Sequence, residues 1–227
     1  MDTTRKSQRA GRADQRAGIA YGVRSQRRAD VVRLAGDLFA QKGFRATTVR
    51  EIADAAGILS GSLYHHFDSK EAIGDEILSG FLNDIITAYQ DAVEAATGPK
   101  DAVERIVRIS THTLARHRAA LTMLQNDWSY FSTQPRFAYL RKDLREIERI
   151  WISQLQRGVD MGVFRPDLNL KITYRLLRDT LWLPINSLQA EGFSADEVVD
   201  SFLRLLFDGI GTTAASRAQS RGAALLP

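Results

Sequence analysis

The stretch Thr47–Lys70, TTVREIADAAGILSGSLYHHFDSK, most narrows what this chain can fold into. Thr48 stands three residues before Glu51, the spacing of a capping box, in which each side chain satisfies a backbone N–H left free at a helix start. Val49, Ile52, Ala53 and Ala56 then recur at helical spacing on one face. Gly57 follows, the residue most at ease in the left-handed backbone that ends a helix. The spacing predicts a second short helix from about Ser60 to Phe67, with Leu63 and Phe67 inward at i, i+4. A third starts near Ser69, where Asp68 and Glu71 place negative charge at a helix N-terminus.

Short helix, glycine turn, short helix is the helix-turn-helix pattern, whose second helix enters the DNA major groove. Ser60, Gly61 and Ser62 are small enough for close approach to DNA, and Tyr64, His65 and His66 follow them with groups suited to phosphates and base edges. Arg45, Thr47 and Thr48 precede the first of these helices, whose free N–H groups favour an anion, and Lys70 closes the stretch. These ten residues are the candidate DNA contacts. The competing reading is an ordinary helical hairpin with a polar outer face.

The segments TVREIADAAG, GSLYHHF and SKEAI fall in order at fixed offsets, and between about Gln26 and Ile77 the chain resembles the DNA-binding domain of the TetR family of bacterial repressors. The resemblance implies an all-α homodimer with a larger C-terminal domain that binds an effector. There is one departure. Many members carry Ser two residues after the turn glycine, capping the recognition helix; here that position is Leu59, and Ser60 is the alternative cap.

The expected organisation is a basic arm at 1–24, a three-helix DNA-binding domain at 25–70, a ligand-binding and dimerisation domain at 71–211 and a tail at 212–227, with about nine helices in all. The 227 residues can bury a real core. No run approaches a membrane span, and a cytoplasmic protein without membrane contact is expected. There is no Cys, which excludes disulfides and thiolate chemistry. Net charge is +4 and unevenly placed. Residues 1–28 carry Arg5, Lys6, Arg9, Arg12, Arg16, Arg24, Arg27 and Arg28 against Asp2 and Asp14, so the body is slightly acidic. The arm reads either as a source of phosphate or minor-groove contacts or as a solvated tail.

Past Lys70 a long amphipathic helix is expected to about Ala96, broken by Gly98-Pro99, then helices over about 101–118, 119–132, 137–158, 170–189 and 195–210. Gly158 and Gly162 are expected to loosen the end of the 137–158 helix. Ser194 and Glu197 form a second capping box. The last helix is apolar around much of its circumference, which points to a homodimer built on the last two helices of each chain. His112 and His117, at i, i+5, do not share a face for a metal. No nucleophile–base pair, glycine-rich phosphate loop or metal-ligand cluster is found, so neither an enzyme nor a bound cofactor is expected.

In the helix over 170–189, Tyr174, Arg178, Leu181 and Trp182 lie on one stripe, and Pro184 frees the carbonyl of Thr180. An arginine in an apolar stripe is costly unless paired. It serves a ligand carrying an anion and a hydrophobic ring, or pairs with a Glu or Asp of a neighbouring helix or of the other subunit; Asp179 is expected to point elsewhere. STQPRFAYL, GVFRPDL and YRLLRDTLW resemble segments of actinobacterial TetR-family regulators of sterol-ring degradation. That resemblance implies a CoA thioester as effector and ligand contacts at Arg178 and Trp182. Trp128, Trp151 and Tyr174 complete the candidate effector set. The expected function is a ligand-responsive repressor on a palindromic operator. The alternatives are the same regulator answering a hydrophobic non-CoA ligand, or a helical small-molecule carrier.

Overall fold

The computed structural model describes residues 26–181 and 192–210. The arm at 1–24, Trp182, Pro184 and the tail lie outside them. The regular elements among the described residues are all helical, ten α-helices and one 3-10 turn joined by turns and short loops. They divide into two compact units: the residues through Leu78 together with Thr122–Trp128, and Ser79–Leu121 together with the chain from Ser129.

In the first unit, α1 (26–42) buries Val31, Ala35 and Phe39. Gly43 turns the chain at φ +87 and sends Phe44 into the core, where its ring lies 4.9 Å from Phe39. A Cβ on Gly74 would sit 2.8 Å from that ring, so the next long helix passes Phe44 with only hydrogen in between. Fully burying Phe44 is worth about 2–3 kcal/mol. α2 (Val49–Ala55) and α3 (Ser60–Leu63) follow. α4 (Lys70–Glu94) starts with Ser69 Oγ accepting from Ala72 N–H at 3.2 Å. Arg28, counted above with the basic arm, lies in α1 and works inside the unit: it donates to Glu76 at 2.6 Å, to the carbonyl of His66, and covers the Phe67 ring at 4.0 Å. Arg27 donates to the Ala56 carbonyl.

α4 does not leave the first unit at its head, as the expected boundary at residue 70 has it, but passes into the second unit at Ser79. The helix expected over 119–132 is two pieces, α6 (Arg118–Asn126) and α7 (Trp128–Phe131). Between them Asp127, 8% exposed, turns its carboxylate to accept the Phe44 N–H at 3.0 Å.

In the second unit, α5 (Pro99–Arg116) starts on Pro99, whose missing N–H is no loss at a first helical position. α5 packs against α8 (Tyr139–Asp160), α9 (Leu170–Leu181) and α10 (Ala195–Ile210). Gly158 does not loosen α8. It is buried within the helix, and a Cβ there would lie 2.0 Å from Phe164 Cδ2, so it makes room for that ring; Gly162, at φ +67, ends the helix. α10 buries Val199, Leu203 and Leu206 and leaves Leu205 76% exposed.

Candidate nucleic-acid interface and effector site

The capping box at α2 is complete. Thr48 Oγ1 accepts from the Glu51 N–H at 3.2 Å, and Glu51 Oε2 accepts from the Thr48 N–H at 2.8 Å. Lys42 donates to the same carboxylate at 2.6 Å. Lys42 first, then the Thr48 amide and hydroxyl, hold the Glu51 carboxyl down to about 2. At the other end, Ile58 N–H reaches the Ala53 carbonyl and Gly57 N–H that of Asp54. With Gly57 at φ +63 this is a Schellman close, and Ile58 takes the inward, half-buried position. The next residue therefore faces out.

α3 is shorter than the expected 60–67 helix. Ser60–Leu63 is α-helical, and His65 and His66 continue with i→i−3 bonds to Ser62 and Leu63. Leu59 is the N-cap, with extended backbone and no side-chain cap; Ser60 is the first helical residue, not the cap. Gly61, Tyr64 and His65 are exposed, and Ser60, Ser62 and His66 are half-buried.

Two of the ten candidates are turned to other work. Thr47 is 1% exposed and its hydroxyl donates to the Gly43 carbonyl at 2.9 Å, so it fastens the turn from within and is withdrawn as a phosphate contact. Lys70 Nζ donates to the carbonyls of Phe44, Arg45 and Thr47 at 2.8, 3.3 and 2.7 Å. These three bonds use the three donors of an ammonium. Partial burial lowers the Lys70 pKa, while the charges of Glu71, Asp127 and Glu51 oppose that shift. Lys70 and Asp127 thus hold one loop from two sides, through its carbonyls and its amide. Arg45 stands exposed on that loop and Thr48 exposed at its end.

In the second unit, Trp151 and Tyr174 come together with rings 6.4 Å apart, 2% and 3% exposed. Tyr89 meets Trp151 edge-on at 6.2 Å. Its hydroxyl donates to Ser110 Oγ at 2.5 Å, because the Ser110 proton is given to the Ile106 carbonyl. Burial pushes the Tyr89 and Tyr174 hydroxyls up to about 12. Arg178 is half-buried, 5.7 Å from the Tyr174 ring centre. Its Nε donates to Asp179 Oδ1 at 2.8 Å, against the expectation that Asp179 points elsewhere: the long arginine chain folds back to its neighbour. Trp128 belongs to the first unit, half-buried at the head of α7. His117 meets Asp84 at 3.0 Å. A cleft of about 460 Å³ between α5 and α10 is lined by residues including Lys100, Arg108, Asp200 and Phe207, and contains none of the candidate effector residues.

Two family profiles match the chain. "Bacterial regulatory proteins, tetR family" covers residues 31–77, and "Tetracyclin repressor-like, C-terminal domain" covers residues 96–210. Among curated proteins, the HTH-type transcriptional repressor KstR2 of Mycobacterium tuberculosis is 38% identical over 190 residues, 83% of this chain and 95% of that one. The protein of that name from Rhodococcus jostii is 39% identical over 83% of this chain and 93% of its own length. Among solved structures, that of the ketosteroid transcriptional regulator KstR2 of Mycobacterium tuberculosis aligns with a TM-score of 0.78 at 38% identity, covering 82% of this chain and 96% of that one.

Proposed function

The chain belongs to the TetR family of bacterial regulatory proteins and is a ligand-responsive transcriptional repressor, not an enzyme; from that premise we propose how it reads DNA and what releases it. Two copies pair through α9 and α10. Ile172 and Leu176 on α9 and Leu205 on α10 are 56–76% exposed, which supports an apolar partner there. Each protomer then sets the segment Ser60–His66 into one of two successive major-groove faces of a palindromic operator in the cytoplasm. Arg45 and Thr48 add phosphate contacts.

The effector combines a hydrophobic ring body with an anionic group, and a CoA thioester of a sterol-ring fragment fits that description. The observation that carries this is Arg178, poised over Tyr174 beside the buried Trp151. One of its partners, Asp179, is exposed, and that pair is worth about 0–1 kcal/mol. An anion offering a bidentate charge-assisted contact displaces it at small cost. Trp182, which the second resemblance assigns to ligand contact, lies outside the described residues, so the proposal rests on Trp151, Tyr174 and Arg178. The reading is also in keeping with the KstR2 relatives, one of which is described as a ketosteroid regulator.

A gel-shift on the DNA upstream of the protein's own gene tests this. Wild type should shift the fragment and release it on addition of a sterol-ring CoA thioester, with a coupling of about 5- to 150-fold. Arg178→Ala should still bind the DNA but release it at much higher thioester concentration. Equal release of wild type and variant would remove Arg178 from the site.

A further inference from the structure

Leu59 is 80% exposed, more than any other large hydrophobic side chain among the described residues. In the first unit only Leu59 and Tyr64 of the described residues are exposed large hydrophobics, and they bound α3 on either side. The exposure follows from the backbone. Ile58 fills the inward position of the Schellman close, and Leu59 continues extended at φ −68, ψ 142. It also occupies the N-cap, where Ser, Thr, Asp or Asn would satisfy a free N–H and Leu satisfies none. The chain forgoes a cap at this position and gains no burial in return. A local rule broken without internal compensation marks a place where the compensation lies in a complex.

The surroundings decide what that complex is. Ser60 and Gly61 follow Leu59 with small side chains, and a Cβ on Gly61 would meet nothing within 4 Å. One isobutyl group beside hydroxyls and imidazoles is too little apolar surface for a protein interface, which needs a contiguous patch. It suits the major groove, where the hydrogen-bonding edges are interrupted by one apolar group, the C5-methyl of thymine. We propose that Leu59 is a specificity-determining residue that packs against a thymine methyl in each operator half-site. This rests on the reading that α3 enters the major groove. The apolar contact adds a reading of the methyl itself to what the Ser60 hydroxyl and the His65 ring read through hydrogen bonds.

The test uses the full-length dimer and the upstream fragment that it shifts, with each thymine of the footprint replaced in turn by deoxyuridine, which removes the methyl alone. Wild type should lose affinity at one symmetry-related pair of positions, about fourfold per half-site, the weight of one methyl-sized contact. Leu59→Ala should lose a similar factor on thymine DNA and become indifferent to deoxyuridine there, while keeping wild-type sensitivity elsewhere. Leu59→Ser, which can restore the cap, should melt at or above the wild-type temperature and still lose the thymine preference; this separates reading from folding. The proposal fails if wild type is indifferent at every position, or if Leu59→Ala keeps the same sensitivity. It also fails if Leu59→Ala changes dimer assembly and not DNA affinity. If wild type binds no such fragment, the major-groove reading fails as well.

Discussion

Replacing Asp127 by Ala should leave the Phe44 amide without an acceptor. That amide donates to Asp127 Oδ2 at 3.0 Å in a buried bond. It cannot swing into water cheaply, because the Phe44 ring is 1% exposed, against Phe39 and the backbone of Gly74. Exposing the amide means withdrawing the ring. An orphaned buried N–H costs about 1–3 kcal/mol, so Asp127→Ala should lower the unfolding free energy by that amount. The Asp127 charge also favours the Lys70 ammonium, which grips the same loop through three carbonyls. The loss should therefore spread along residues 44–47 and weaken operator binding through Arg45 and Thr48. Asp127→Asn keeps an acceptor oxygen and should recover most of the stability. The measurement is urea denaturation of the three proteins at one protomer concentration, with amide exchange at Phe44. If Asp127→Ala stays within about 0.5 kcal/mol of wild type, the range of an ordinary surface change, and Phe44 remains protected, the reasoning is refuted.

Two further perturbations follow from the geometry. Gly158→Ala places a methyl 2.0 Å from the buried Phe164 ring and should cost about 1–3 kcal/mol or more by overpacking; an unchanged melting temperature would contradict it. The Glu51 carboxyl is lowered from 4.5 to about 2, so its contribution to stability is complete above 4.5 and is lost as pH falls through 2. Carboxyl NMR should find a titration midpoint near 2 that rises toward 4.5 in Lys42→Met, and a wild-type midpoint already near 4.5 would remove the cap from the account.

Helix ends and turns set by neighbours in sequence were legible. Thr48–Glu51, Gly57 and Ser194–Glu197 each act within a few residues, and each is found as read. What depends on distant partners was not. Thr47 and Lys70 look like phosphate ligands until Gly43 and the 44–47 carbonyls claim them. The break at Asp127 has no Gly or Pro to announce it, and its partner Phe44 is 83 residues away. Gly158 looked like a flaw in α8 because the ring it accommodates arrives only after the next turn. The Arg178–Asp179 contact escapes helix geometry, which places Cβ atoms but not the end of a long, flexible arginine side chain. Leu59 was visible as a departure from a pattern, and only its exposure gives it a use.

The segment Thr122–Trp128 belongs with the residues before Leu78, and this has a bearing on synthesis. The DNA-reading unit is not a contiguous piece of chain. During translation its first three helices emerge well before the residue that accepts the Phe44 amide, some 50 residues after Leu78, a delay of several seconds at roughly 5–20 residues per second. A fragment cut after Leu78 would carry every candidate base contact and still lack Asp127 and Met123, the side chains that close its own core. The nascent reader therefore waits for the first half of the sensing domain to be made, and a repressor truncated between the two should neither finish folding nor occupy the operator in place of the full-length chain.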